Sequence, residues 1–183
     1  MSSSALLLVI AAAIAHASWN LLAKRAAHVG SPFVFAYGLC CTIVYAPWVI
    51  WILIFEHNEW SWLIIGCIVL SGILHLAYSL CLQRGYQLAD LSVVYPIARG
   101  TGPFLSTIGA LLFMREPASI AGIGGMLCVV LGVIFIATQG QIRRLLQPAA
   151  MVGVRWGFLV GLFIAAYTLV DAYGVKTLAI APV

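Results

Sequence analysis

From residue 4 to residue 175 the chain is a series of apolar runs about 20 residues long, separated by short polar connectors. A helix crossing the ~30 Å hydrocarbon core of a bilayer needs ~20 such residues, and a soluble domain has no use for six of them. The runs fall at 4–23, 33–55, 62–82, 92–113, 118–138 and 156–175. Strands of a membrane barrel would be ~10 residues of alternating pattern, and these runs are apolar on every face. The expected fold class is all-α, a polytopic integral membrane helix bundle of about six transmembrane helices. Composition agrees: 64% of residues are hydrophobic and 8% charged, too few charges for a water-facing surface. No convincing small-residue cleavage site follows the first run, so it reads as a retained helix, not a signal peptide.

The net charge of +4 comes from scattered lysines and arginines with no basic stripe, so no nucleic-acid partner is expected. Their expected role is orientation. Lys24, Arg25, Arg84, Arg143, Arg144 and Arg155 fall on one set of connectors, together with Asp90. Arg115 and Lys176 fall on the other set, with Glu56, Glu59 and Glu116. This count predicts an N-terminus outside the cytoplasm. Trp60 and Trp62 read as anchors at the membrane interface. Cys40, Cys41, Cys67, Cys81 and Cys128 all lie in the runs, none with zinc spacing, and read as packed thiols. No metal or other cofactor is expected.

The connector over roughly 139–155 is the one shift in composition and carries three arginines. Beyond it, residues 167–176 partly repeat 15–24: each segment has polar residues in its second half and a lysine at its end. The expected organisation is a five-helix unit at 1–140, a basic connector at 141–155, and at 156–183 the first helix of an incomplete second unit. Inverted repeats of this kind are a common build for secondary transporters. Because the chain stops at Ala-Pro-Val just after the sixth run, the reading is of a fragment or truncated product.

Polar side chains inside the runs carry the functional signal, because a charge at mid-membrane costs ~2.5–3.5 kcal/mol on insertion scales. His16, Asn20 and Lys24 recur every four residues on helix 1; His75, Ser79 and Gln83 do so on helix 3, beside Tyr78. Tyr95 and Arg99 are four apart on helix 4, as are Tyr167 and Asp171 on helix 6. Converging stripes would line a polar cavity; alternatively each stripe only hydrogen-bonds neighbouring helices. The expected site residues are His16, Asn20, Tyr95, Arg99, Tyr167 and Asp171. Arg99 cannot lose its charge and must find an anion or water; Asp171 is the expected partner for it or for Lys24. His16 or Asp171 would exchange protons, and His75 reads mainly as packing. Pro96, Gly100, Gly102 and Pro103 interrupt helix 4 and suit a hinge or a cavity wall. The small residues Gly125, Cys128 and Gly132 on helix 5 read as a packing face.

Trp19-Asn20 through Lys24, Val94-Tyr95-Pro96-Ile97-Ala98-Arg99 through Pro103, and Arg115-Glu116-Pro117 before a glycine-rich helix resemble the EamA-type members of the drug/metabolite transporter superfamily. The resemblance covers nearly all of 5–138. It implies ten helices in two inverted five-helix repeats, located in the cell (inner) membrane and carrying small organic solutes. The chain also resembles the smaller multidrug-resistance relatives, which place an essential glutamate eight residues before the lysine ending helix 1. Here that position is His16, so the carboxylate is missing. Two further departures are the nearly absent second repeat and the predicted outside N-terminus, where family members usually keep it in the cytoplasm.

The function expected is secondary transport of a small organic solute, metabolite or amino-acid-like, by export, with proton coupling as one option. The expected partners are the lipid bilayer, the solute and protons, with a homodimer or a missing second half completing the path. The alternative is a non-transporting membrane subunit, or a truncated inactive remnant, that only packs with partner helices. An enzyme is not expected: the chain has no Gly-x-Ser-x-Gly, no His-Glu-x-x-His and no facing acid pair.

Overall fold

A computed structural model of the protein describes residues 3–55, 60–114, 117, 119–138, 147–178 and 180. Glu56, Glu59, Arg115, Glu116, Arg143, Arg144 and the segment 181–183, all used in the readings above, lie outside the described residues. Among the described residues there are no strands. The helices are α1 (Ser3–Arg25), α2 (Ser31–Phe55), α3 (Trp62–Leu88), α4 (Leu91–Phe113), α5 (Ile120–Thr138) and α6 (Pro148–Thr177), with a 3-10 turn over Ala26–Val29 between the first two. Five of the six are long and apolar enough to cross a bilayer. The exception is α4, whose hydropathy is diluted by two prolines, three glycines, an arginine and several hydroxyls.

Two helices outrun the expected spans. Helix α3 continues from residue 82 to Leu88, so Arg84 is helical and does not belong to a connector. Its polar last turns are stable because neighbours satisfy them: Gln83 Nε2 donates to the Ala26 carbonyl at 3.1 Å and Gln87 Nε2 to Ala27 at 2.8 Å. Helix α6 starts at Pro148, not near 156, and Arg155 lies within it. Gln147 is its N-cap residue and Pro148 its first residue, where the missing N–H costs nothing.

The bundle is centred on α6. It packs most extensively against α4 and next against α3, while α5 lies on α4, and α1 and α2 touch the rest lightly. Helices α4 and α6 run parallel and in register: the α6 residues Gly153, Gly157 and Gly161 face Val93, Ile97 and Thr101 of α4. In return Gly102 and Gly109 of α4 face Ile164 and Leu169 of α6. A Cβ on Gly157 would sit 2.8 Å from Ile97 Cβ and 2.9 Å from the Val94 carbonyl; one on Gly161 would sit 2.6 Å from Thr101 Cβ. In lipid no hydrophobic effect drives helix pairing, so close backbone approach through small residues supplies the attraction. The sequence Gly153-x-x-x-Gly157-x-x-x-Gly161 puts all three on one face.

The small residues expected to pack on α5 do not do so. Gly125, Cys128 and Gly132 are exposed, and a Cβ on Gly125 or Gly132 would meet nothing within 4 Å. Helix α5 instead meets α4 through Val133, which fills the space left by Gly100. The Pro-Gly segment of α4 remains helical throughout, and its glycines serve helix contact on two sides: Gly100 toward α5 and Gly102 toward α6. Cys40, Cys41 and Cys128 are exposed rather than packed; all five thiols are free.

Candidate functional site

The polar stripe on α3 is longer than expected and does not face one cavity. Ser71, His75, Ser79, Gln83 and Gln87 recur every four residues. Four residues advance ~400° on a helix of 3.6 residues per turn, so the stripe drifts ~40° per step and ~160° over its length. Its lower end therefore meets α6 and its upper end meets α2 and the 3-10 turn. Ser71 Oγ donates to Asp171 Oδ1 at 2.5 Å, and the His75 ring stacks on Tyr167 at 4.0 Å. Ser79, the next residue of the stripe, lies near Tyr37 of α2. Gln83, only 4% exposed, is spent on the Ala26 carbonyl and belongs to the scaffold.

Helix α1 is held by its own stripe. Lys24 Nζ donates to the Tyr86 carbonyl at 2.5 Å and the Ala89 carbonyl at 2.7 Å. It thus places a cation on the carbonyl end of α3, where the helix dipole favours it. Asn20 is buried: its Nδ2 donates to the His16 carbonyl at 2.7 Å and its Oδ1 accepts from the Tyr86 hydroxyl at 2.9 Å. Among the described residues every buried side-chain nitrogen or oxygen has a partner.

His16 reaches α4. Arg99 Nη2 donates to His16 Nε2 at 2.6 Å, and the guanidinium carbon lies 5.6 Å from the centre of the Tyr95 ring. A guanidinium can only donate, so this geometry makes Nε2 of His16 the acceptor. The expected pairing of Asp171 with Arg99 or Lys24 does not occur. Asp171 is held by Ser71, with His75 Nε2 3.9 Å from its other oxygen. Lys24 is committed to α3. Among the described residues no carboxylate sits against Arg99.

The six expected residues thus fall into two groups. His16, Tyr95 and Arg99 form the first, on α1 and α4, with Asn20 one turn along α1. Tyr167 and Asp171 form the second, on α6 against α3. Two tyrosines link the groups: the Tyr78 and Tyr167 rings meet edge to face at 5.7 Å, and both pack on the cluster of Ala98, Val160 and Ile164, next to Arg99 in the chain. Sequence reasoning missed Ser71 and Tyr86 and treated His75 as packing. Ser71 had a signal, one further step of the four-residue stripe; Tyr86 lay past the expected end of the helix.

Two cavities lie beside these groups. One of about 390 Å³ between α4, α5 and α6 is lined by Ser106, Thr107, Ser119, Thr168 and Lys176 among others. An apolar cleft of about 560 Å³ between α3, α4 and α6 includes Trp62, Cys67, Leu70, Phe113 and Tyr173. No expected site residue lines either. Among the described residues no three His, Cys, Asp or Glu side chains gather to hold a metal.

Apolar helices of spanning length, joined by small-residue contacts, define a multi-pass helical membrane protein. The profile of the EamA-like transporter family matches residues 3–138. The match covers most of the chain, and the protein belongs to that family. Helix α6, the centre of the bundle, lies beyond the matched segment. No curated protein and no solved structure matches the chain.

Proposed function

We propose that the protein is a secondary transporter half for small organic anions, metabolites or amino-acid-like solutes bearing a carboxylate. The observation that carries this reading is Arg99: a permanent cation within the helix bundle, bonded to a ring nitrogen and not to a carboxylate. A guanidinium at that depth is costly unless an anion or water meets it, and a solute carboxylate is a matching partner for its fork of donors. Tyr95, beneath the guanidinium, and Tyr78 and Tyr167 beyond it offer ring faces and hydroxyls to the rest of the solute. Asn20, through Tyr86, holds α1 against α3 so that His16 stays on Arg99. The direction is export, from the family resemblance, and the membrane is the inner cell membrane. The residues 1–140 act as one five-helix repeat and α6 as the first helix of a second.

Alternating access then rocks one repeat against the other. A second reading, a subunit that only packs with partners, is favoured by the open face of α5 at Gly125, Cys128 and Gly132. Reconstituted vesicles separate the two. The purified chain is loaded into liposomes and tested with a panel of labelled amino acids and small carboxylic acids. Uptake by the wild type and its loss in Arg99→Gln, with insertion unchanged, is the expected result. No uptake of any solute by the wild type defeats the transport reading.

A further inference from the structure

The protein holds two histidines among its polar clusters, and the hydrogen bonds around them differ in one respect that decides which can carry a proton. His16 Nε2 is the acceptor of an arginine donor, so a proton there would break that bond and set two cations together. His75 is arranged the opposite way. Its Nδ1 lies 2.9 Å from the Ser71 carbonyl oxygen, which can only accept, so Nδ1 carries a hydrogen. Ser71 Oγ, 3.3 Å from the same nitrogen, gives its own hydrogen to Asp171 and is likewise free to accept. In the neutral ring Nε2 is then bare, and it faces Asp171 Oδ2 across 3.9 Å. Two acceptors face one another across a gap too long for a hydrogen bond.

We propose that His75 and Asp171 together form a proton-binding site that joins α3 to α6. One proton, taken from water, binds between Nε2 and Oδ2 and draws them to hydrogen-bond distance. The pair carries one negative charge when empty and none when loaded, and the proton returns to water on release; no electron moves. The two side chains keep 45% and 42% of their surface uncovered by the rest of the chain. Such exposure of a carboxylate on a spanning helix requires water or protein beside it, not lipid tails. The titratable groups that contacts place around the pair are Cys67 and Tyr78 on α3 and Tyr167 on α6, with Arg99 of α4 as the nearest cation of the other group. Tyr167 connects the pair to the anion site, since it stacks on His75 and packs on the cluster that holds Ala98, the neighbour of Arg99. Loading the proton therefore changes the field at the Arg99 site and tightens the α3–α6 contact in one event. The coupling role rests on the transport reading; the proton site itself does not.

Infrared difference spectra of the full chain in lipid, recorded between neutral and acidic pH, test the site without any solute. An imidazolium ring band that is lost in His75→Gln, with a shift of a carboxylate stretch that is absent in Asp171→Asn, is the expected result. A spectrum unchanged by Asp171→Asn, or a carboxylate shift indifferent to His75→Gln, overturns the proposal. The same vesicles used for the solute panel then test the coupling. Asp171→Asn and His75→Gln should keep solute exchange in the absence of a pH gradient and lose accumulation driven by one, falling to the level of protein-free vesicles. Accumulation undiminished in both variants overturns the coupling while leaving the transport reading intact, whereas absence of exchange in the wild type defeats that reading alone.

Discussion

The contact between α4 and α6 and the contact between α1 and α3 are built from opposite materials. The first is a long parallel seam of glycines, each placed where a neighbouring side chain reaches toward the backbone. The second is thin in apolar contact and held by Lys24 on two carbonyls and by Asn20 on Tyr86. Both are answers to the same solvent. Lipid gives apolar side chains no reason to leave it, so helices join through dense van der Waals contact or through polar groups with nowhere else to go. The seam is rigid because an added methyl has no room. The clasp is directional: a few bonds set where α1 ends on α3, and most of α1 stays open to lipid, with Leu7 and Leu8 about two-thirds exposed or more.

Substitutions can break or sharpen this contrast, and detergent-titrated unfolding measures them on one scale. Gly157→Leu should be the most damaging, costing about 3 kcal/mol or more, because its side chain would collide with Ile97 and with the Val94 carbonyl, which cannot rotate away. Lys24→Met should cost about 1–3 kcal/mol, leaving the carbonyls of Tyr86 and Ala89 without their donor while keeping the stem's packing. Tyr86→Phe should cost about 1 kcal/mol, the price of one hydrogen bond to a buried amide. Gly125→Ala should lie within about 0.5 kcal/mol of the wild type, on the stabilising side, since the site is open and alanine favours the helix. A loss at Gly125 as large as at Gly157 would show that α5 packs on another chain in the membrane.

The six helices were legible because a bilayer sets a length, and an apolar run of that length has few other uses. Their ends were less so. Gln83, Arg84, Gln87 and Arg155 look like connector residues until one knows which carbonyls and neighbours receive them. The small-residue rule misled in one helix and was overlooked in another. It pointed to Gly125 and Gly132, whose face is open, and passed over Gly153, Gly157 and Gly161, which form the seam. Spacing tells that a face is flat; it does not tell what lies opposite. The same limit applies to the polar residues. Arg99, His16 and Asp171 stood out by type, but the pairing of Arg99 with His16, and of Asp171 with Ser71 and His75, depends on how α1 and α6 are set around α3 and α4.

Helix α3 carries a tie to α6 at Ser71 and two to the turn after α1 at Gln83 and Gln87. These ties leave it on different sides, so the rod is gripped near both ends from opposing directions, like a shaft between two clamps. It cannot roll about its own axis without straining both grips. A twist that begins where α1 and α2 lean against it must arrive at Asp171, and one that begins at Asp171 must arrive back there.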